Sequence, residues 1–243
     1  DFKTGVAPEA RRKPGFPYYG SDIKLQTRFI LENLKRTFEA AGSSLDQVLK
    51  AQVFLTDPND FAGFDEVYKE YFPKLPPART TVGTTGLLVE GTLIEIDLVG
   101  VAGGRGVEKV AVRSGAPQPV ANYTEAFKVG DLVFAAGQVA SDLKDGVPAS
   151  AMKKPGFPYY GSDIKLQTRY IMENLKRTFE AAGSSLDKVV KAQVFLMDLN
   201  DFNGFDEVWK EYFKVPPPRT TVGTSALLAK DTLVEIDLIG VAG

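Results

Sequence analysis

The chain contains itself twice. From Lys13 to Phe72, and again from Lys154 to Phe213, it reads KPGFPYYGSDIKLQTR, ENLKRTFEAAGSSLD and KAQVFL with only scattered exchanges between the copies. A period of 20 to 50 residues would describe a solenoid; this repeat is the size of a domain, about 135 residues, so the chain is read as two tandem domains, 1–103 and 104–243. The copies are not equivalent. The second carries Gly104 to Val139, which has no counterpart in the first, whose DFKTG beginning at Asp1 aligns with the DLKDG beginning at Asp142. The first domain is therefore expected to be incomplete at its N-terminus, without the opening strands of the second. The lack of Met at position 1 points to a processed or partial version of something longer.

Two absences bound the chemistry. There is no Cys and no His in the 243 residues, which excludes thiol nucleophiles, disulfides, Ser-His-Asp triads and His-ligated metals. Carboxylates, Arg, Lys, Tyr, Ser or Thr, main-chain groups and water remain. No GxGxxG, Walker or metal-ligand pattern appears, so neither cofactor nor metal is expected. A net charge of -2 lacks the basic footprint that nucleic acid requires. No apolar run is long enough to span a bilayer, so membrane association is not expected and a cytoplasmic location is. With 44% hydrophobic residues, each domain has the material for its own core.

The second copy shows the order of elements. Glu108 to Arg113 alternates as a strand, and Thr124 to Val129 followed by Leu132 to Ala136, split by Gly130-Asp131, reads as a hairpin. Asp142 to Gly161 is a long loop rich in Lys, Pro, Gly and aromatics. Ser162 is placed to cap a helix whose stripe is Ile164, Thr168, Ile171, Leu175 and Phe179, ending at Gly183. Val189 to Met197 is β-rich, and Asp201 is placed to cap a second helix from Phe202 to Phe213. Thr232 to Val241 alternates strictly, with Val234, Ile236 and Leu238 on one face and Glu235 and Asp237 on the other. The order βββαβαββ predicts an α+β fold. Taken alone, Glu235 and Asp237 read as a solvated strand face, and an Arg after a Pro run as a surface charge.

QTRYIMENLKRTFEAAGSSLDKVVKAQVFLMDLNDF, PPPRTTVGTSALL and LVEIDLIGVA in the second copy, with PPARTTVG and IEIDLVG in the first, resemble the RidA (YjgF/YER057c/UK114) family. The resemblance implies two tandem chorismate-mutase-like domains, each a mixed sheet with two helices on one face, and ligand sites in clefts between neighbouring subunits. It also implies trimers; with two domains per chain this gives a homotrimer of six domains in two stacked rings. The family's carboxylate-binding Arg falls on Arg79 and Arg219, and its water-directing Glu on Glu95 and Glu235. Its Tyr falls on Tyr123, which has no equivalent in the first copy. Gly137 and Gln138 match its main-chain contacts to substrate, and Thr81 and Thr221 stand where relatives often carry Cys. Phe157, Tyr159 and Tyr160, with Phe16, Tyr18 and Tyr19 in the first copy, are read as bordering the cleft and suiting a larger substrate.

The activity implied is hydrolysis of a reactive enamine or imine to a 2-keto acid and ammonia. In this reading Arg219 holds the substrate carboxylate, main-chain groups around Gly137 and Thr221 orient it, and Glu235 directs water onto the C=N carbon. The second copy, being complete, is the expected catalytic unit. Two alternatives stay open: a hydrolase acting on a larger cyclic amide or lactone, and a non-enzymatic module that binds small carboxylates.

Overall fold

The computed structural model describes residues 5–11, 21–102, 108–115, 121–141, 146–152 and 162–243. The aromatic residues expected at the cleft, Phe157, Tyr159 and Tyr160 with Phe16, Tyr18 and Tyr19, lie outside them.

The first copy forms α1 (Ser21–Ala40), β1 (Val48–Leu55), α2 (Phe61–Tyr71), β2 (Ala78–Gly83) and β3 (Ile94–Gly100). The second forms β4 (Lys109–Val112), β5 (Ala126–Val129), β6 (Leu132–Ala135), β7 (Gln138–Val139), α3 (Ser162–Ala181), β8 (Val189–Leu196), α4 (Phe202–Tyr212), β9 (Arg219–Gly223) and β10 (Val234–Val241). The short β7 adds one strand to the expected order. β1 pairs with β2 in parallel and with β3 antiparallel, giving the sheet β2-β1-β3. The second sheet runs β4-β5-β6-β10-β8-β9, with β7 also on β10. Its β10-β8-β9 end repeats the first sheet strand for strand, and the hairpin β5-β6 is what the first unit lacks among the described residues.

The helical stripe behaves as its spacing requires. Ile164, Thr168, Ile171, Leu175 and Phe179 are all fully buried against the sheet, where apolar burial is worth about 25 cal/mol per Å². The capping expectations differ in detail. Ser162 is the first helical residue of α3. Asp201 precedes α4 without a side-chain cap, and Asp198 instead accepts a hydrogen bond from the Asn200 N–H, closing the turn one step earlier.

The two units dock through the sheet faces that their helices leave free. Leu49 and Ala78 of the first unit share a core with Phe127, Val129, Phe134 and Ala136 of the second. The Gly83 N–H donates to the Ala226 carbonyl at 2.8 Å, the Thr224 hydroxyl to the Gly83 carbonyl at 2.6 Å, and the Gly137 N–H to the Arg79 carbonyl at 3.1 Å. This docking breaks the symmetry of the repeat. Leu49 is 2% exposed and its counterpart Val190 46%; Val82 is 1% exposed and Val222 42%. The strand β3 alternates buried and exposed, whereas on β10, where a solvated Glu235 and Asp237 face was the reading from sequence alone, both faces are buried along Val234 to Leu238. The polar face of β10 is thus covered by the neighbouring unit rather than by water.

Candidate active site

A cavity of about 750 Å³ opens between the units. The first unit supplies Arg79 and Thr81 from β2 and Asp65 from α2. The second supplies Glu235 from β10, Gly137 between β6 and β7, and Tyr123 from the segment leading into β5.

Parallel pairing of β2 on β1 sets Arg79 opposite Ala51, at the edge of α2. The Arg79 side chain is buried, with Nη1 2.8 Å from Asp65 Oδ1, and Asp65 Oδ2 in turn lies 2.7 Å from Lys69 Nζ. The guanidinium carbon stands 5.3, 5.1 and 4.8 Å from the ring centres of Phe61, Phe64 and Tyr68. These three rings follow the helical spacing of α2 and form an aromatic bed for a delocalised cation. Burial pushes the Asp65 carboxyl up, but the charges and hydrogen bonds of Arg79 and Lys69 outweigh it and hold it below its ordinary value.

Glu235 is the opposite case. Burial raises its carboxyl to about 8; Lys50 works against that rise, Asp237 adds to it, and the Thr81 N–H bond and Arg79 lower it. At neutral pH Glu235 is therefore mostly protonated and close to its titration point, which is where a group that both gives and takes protons is most effective. Burial, followed by the charge of Glu235, raises the Tyr123 hydroxyl above its usual value, so it stays neutral. The Thr81 hydroxyl lines the same cavity, is buried, and has no hydrogen-bond partner among the described residues. Gly137 fits because a side chain would not: an added Cβ would sit inside the contact envelope of Glu235 Oε1 and 2.9 Å from both Glu235 Cδ and Thr80 Oγ1.

Of the residues singled out from sequence, the structure brings Arg79, Thr81, Tyr123, Gly137 and Glu235 to one cavity. Arg219 and Thr221 are not with them. They lie on β9, at the open edge of the second sheet, where Arg219 pairs with Asp206 at 2.9 Å. Glu95 is exposed on β3. The expected partnership of Arg219 with Glu235 is therefore corrected: the Arg that faces Glu235 comes from the first unit. The Tyr of this cavity, Tyr123, is supplied by the second unit. Gln138 pairs with Ile236 in the sheet and does not line the cavity. Asp65 and the aromatic bed were missed; the Phe61, Phe64 and Tyr68 spacing, with the Asp65–Lys69 pair four apart, was the available signal.

The family model described as Endoribonuclease L-PSP matches the chain twice, over residues 8–102 and 113–242. The chain belongs to the RidA (YjgF/YER057c/UK114) family. Each of its units is a RidA-type, chorismate-mutase-like α+β domain. It is 42% identical over 125 residues to a RutC family protein of Sulfurisphaera tokodaii, a match covering 51% of this chain and 90% of that one. It is 33% identical over 125 residues to the 2-iminobutanoate/2-iminopropanoate deaminase of Dermatophagoides farinae, covering 51% and 88%. Among solved structures, RidA from the Antarctic bacterium Psychrobacter sp. is 34% identical with a TM-score of 0.44, covering 54% of this chain and 98% of that one. Relatives of one domain's length thus match half of this RidA chain. Among the described residues no helix is long and apolar enough to cross a membrane.

Proposed function

We propose that the chain hydrolyses reactive imines or enamines to a carbonyl compound and ammonia, at one composite site per chain. The observation that carries this reading is that Arg79 of one unit and Glu235 of the other wall the same cavity, and burial favours the protonated form of Glu235. The relative named as an imine deaminase agrees with it. Arg79 holds the substrate carboxylate with its planar fork. Glu235 gives its proton to the imine nitrogen, or to the enamine carbon, producing an iminium. The resulting carboxylate takes a proton from water as the water oxygen bonds to carbon. Glu235 then protonates the amine of the carbinolamine, the C–N bond breaks, and the remaining hydroxyl proton returns to Glu235 as ammonia leaves. An already activated C=N needs positioning more than it needs a strong nucleophile, so the absence of His is no obstacle.

A second reading has the cavity volume in its favour. About 750 Å³ lies in the range that holds drug-sized ligands, which suits bulky imines and, alternatively, a cyclic amide or lactone. The test is ammonia and keto-acid release from imines generated in situ by an amino-acid oxidase acting on small and bulky amino acids. Turnover lost in Glu235→Gln supports the deaminase; binding of keto acids with no turnover of any imine would shift the assignment to ring hydrolysis or to a binding module. Homotrimer assembly is a separate proposal, tested by mass in solution from light scattering.

A further inference from the structure

Behind the cavity wall lies a polar cluster that the proposed reaction does not use. Lys50 of β1 is buried, and its ammonium is 2.6 Å from Asp237 Oδ2, 2.7 Å from Thr80 Oγ1 and 2.6 Å from the Ala135 carbonyl. Thr80 Oγ1 in turn donates to Asp237 Oδ2 at 2.7 Å. All three ammonium protons are thereby used, two of them on groups of the other unit. The cluster abuts Glu235: Asp237 is two residues along the same strand face, and the point where a Gly137 Cβ would sit is 2.9 Å from both Thr80 Oγ1 and Glu235 Cδ. The repeat supplies its own comparison. Lys191 and Thr220, the counterparts of Lys50 and Thr80, are exposed, as is Asp97, the counterpart of Asp237. Among the described residues the cluster closes once, where the units meet and next to Glu235.

We infer that Lys50 is a positioning residue for Glu235, which through its pair with Asp237 makes the protonation of the site depend on docking of the two units. The inference rests on the deaminase reading for its purpose, though not for its test. The charged and titratable groups facing Glu235 are Lys50 from β1, Arg79 from β2 with Asp65 and Lys69 behind it, Asp237 on its own strand, and Tyr123 before β5. Glu66 and Lys230 lie further along the cavity wall. Of these charges Lys50 acts most strongly, ahead of Asp237. Removing Lys50 therefore raises the Glu235 titration in either limit: if Asp237 stays ionised a repulsive charge is left unopposed, and if Asp237 picks up a proton the larger of two opposing effects is still lost. Removing the Asp237 charge lowers it, because Lys50, still held by Thr80 and Ala135, then favours an ionised Glu235.

The experiment is a pH titration of the Glu235 carboxyl by ¹³C NMR of the Glu-labelled two-unit chain, assigned with Glu235→Gln. It needs no substrate, so it stands even if no imine is turned over. Relative to wild type, Lys50→Met is expected to move the midpoint up and Asp237→Asn down, each by about one pH unit or more, with Lys50→Arg restoring it. A purely structural role would not give shifts of opposite sign. Midpoints unchanged in both variants, or moved the same way, overturn the inference. Should Lys50→Met fail to fold, Asp237→Asn decides alone: a lowered midpoint supports it and an unchanged one refutes it.

Discussion

Replacing Gly137 by Ala isolates the geometry of the site with a single methyl group. Gly137 is not in the left-handed region, so Ala carries no backbone penalty there and the effect is steric. Its N–H is bonded to the Arg79 carbonyl at 3.1 Å, which keeps the backbone from backing away. The new Cβ would overlap Glu235 Oε1 and stand 2.9 Å from Glu235 Cδ and Thr80 Oγ1, closer than real Cβ contacts come. The Glu235 carboxyl must then retreat by about 1 Å, and misplacement on that scale costs about 10²-fold in rate. Overpacking adds a stability loss of about 1–3 kcal/mol. The assay is kcat/KM for keto-acid release from oxidase-generated imines, with thermal melts alongside. Gly86→Ala, where nothing lies within 4 Å of the new carbon, is the control and is expected to match wild type. A Gly137→Ala protein with wild-type kcat/KM and melting temperature would refute the placement of Glu235 as a functional group.

Three further outcomes are expected. Gly83→Ala, whose Cβ would meet Ser225 Oγ at 2.7 Å and the Ala226 N at 2.8 Å across the unit boundary, should lower the melting temperature and the turnover, while the equivalent Gly223→Ala, at 3.5 Å or more from its neighbours, should change neither. Asp65→Asn frees Arg79 from its ion pair, so added keto acid should raise the variant's melting temperature more than the wild type's, with tighter binding of about tenfold or more from the released charge-assisted bond; equal shifts would show that Arg79 is not the carboxylate ligand. Glu235 keeps its proton to about pH 8, against an ordinary value of 4.5. The native state binds the extra proton between those values, so this group's contribution is full below about pH 4.5 and is lost as pH rises through 8. Glu235→Gln should therefore stabilise the protein more at about pH 8.5 than at pH 5, as followed by melting curves; a difference independent of pH would contradict the raised value.

The repeat, the strands and both helices of each unit were legible because period 2 and period 3.6 patterns are local. The pairing of site residues was not, because it depends on which copy of a repeated motif is docked. RTTVG occurs at Arg79 and at Arg219, and β3 and β10 read IEIDLVG and VEIDLIGV, yet one member of each pair is covered and the other open. The deciding element is the hairpin β5-β6, present once among the described residues, whose Phe127 and Phe134 cover Leu49 and Ala78. Lys50 and Lys191 make the same point: the residue is the same and the local sequence nearly so, and only the neighbouring unit separates a buried ammonium from a solvated one. The Asp65 pairing with Arg79 joins a helix to a strand 14 residues on, which neither segment's own periodicity reveals.

The most direct test of a single composite site is imine turnover in Arg79→Ala compared with Arg219→Ala, read against Glu235→Gln and Glu95→Gln. The account predicts that Arg79→Ala and Glu235→Gln lose activity together, with the losses non-additive in the double variant, while Arg219→Ala and Glu95→Gln keep it. Activity lost with Arg219 and retained without Arg79 would contradict it.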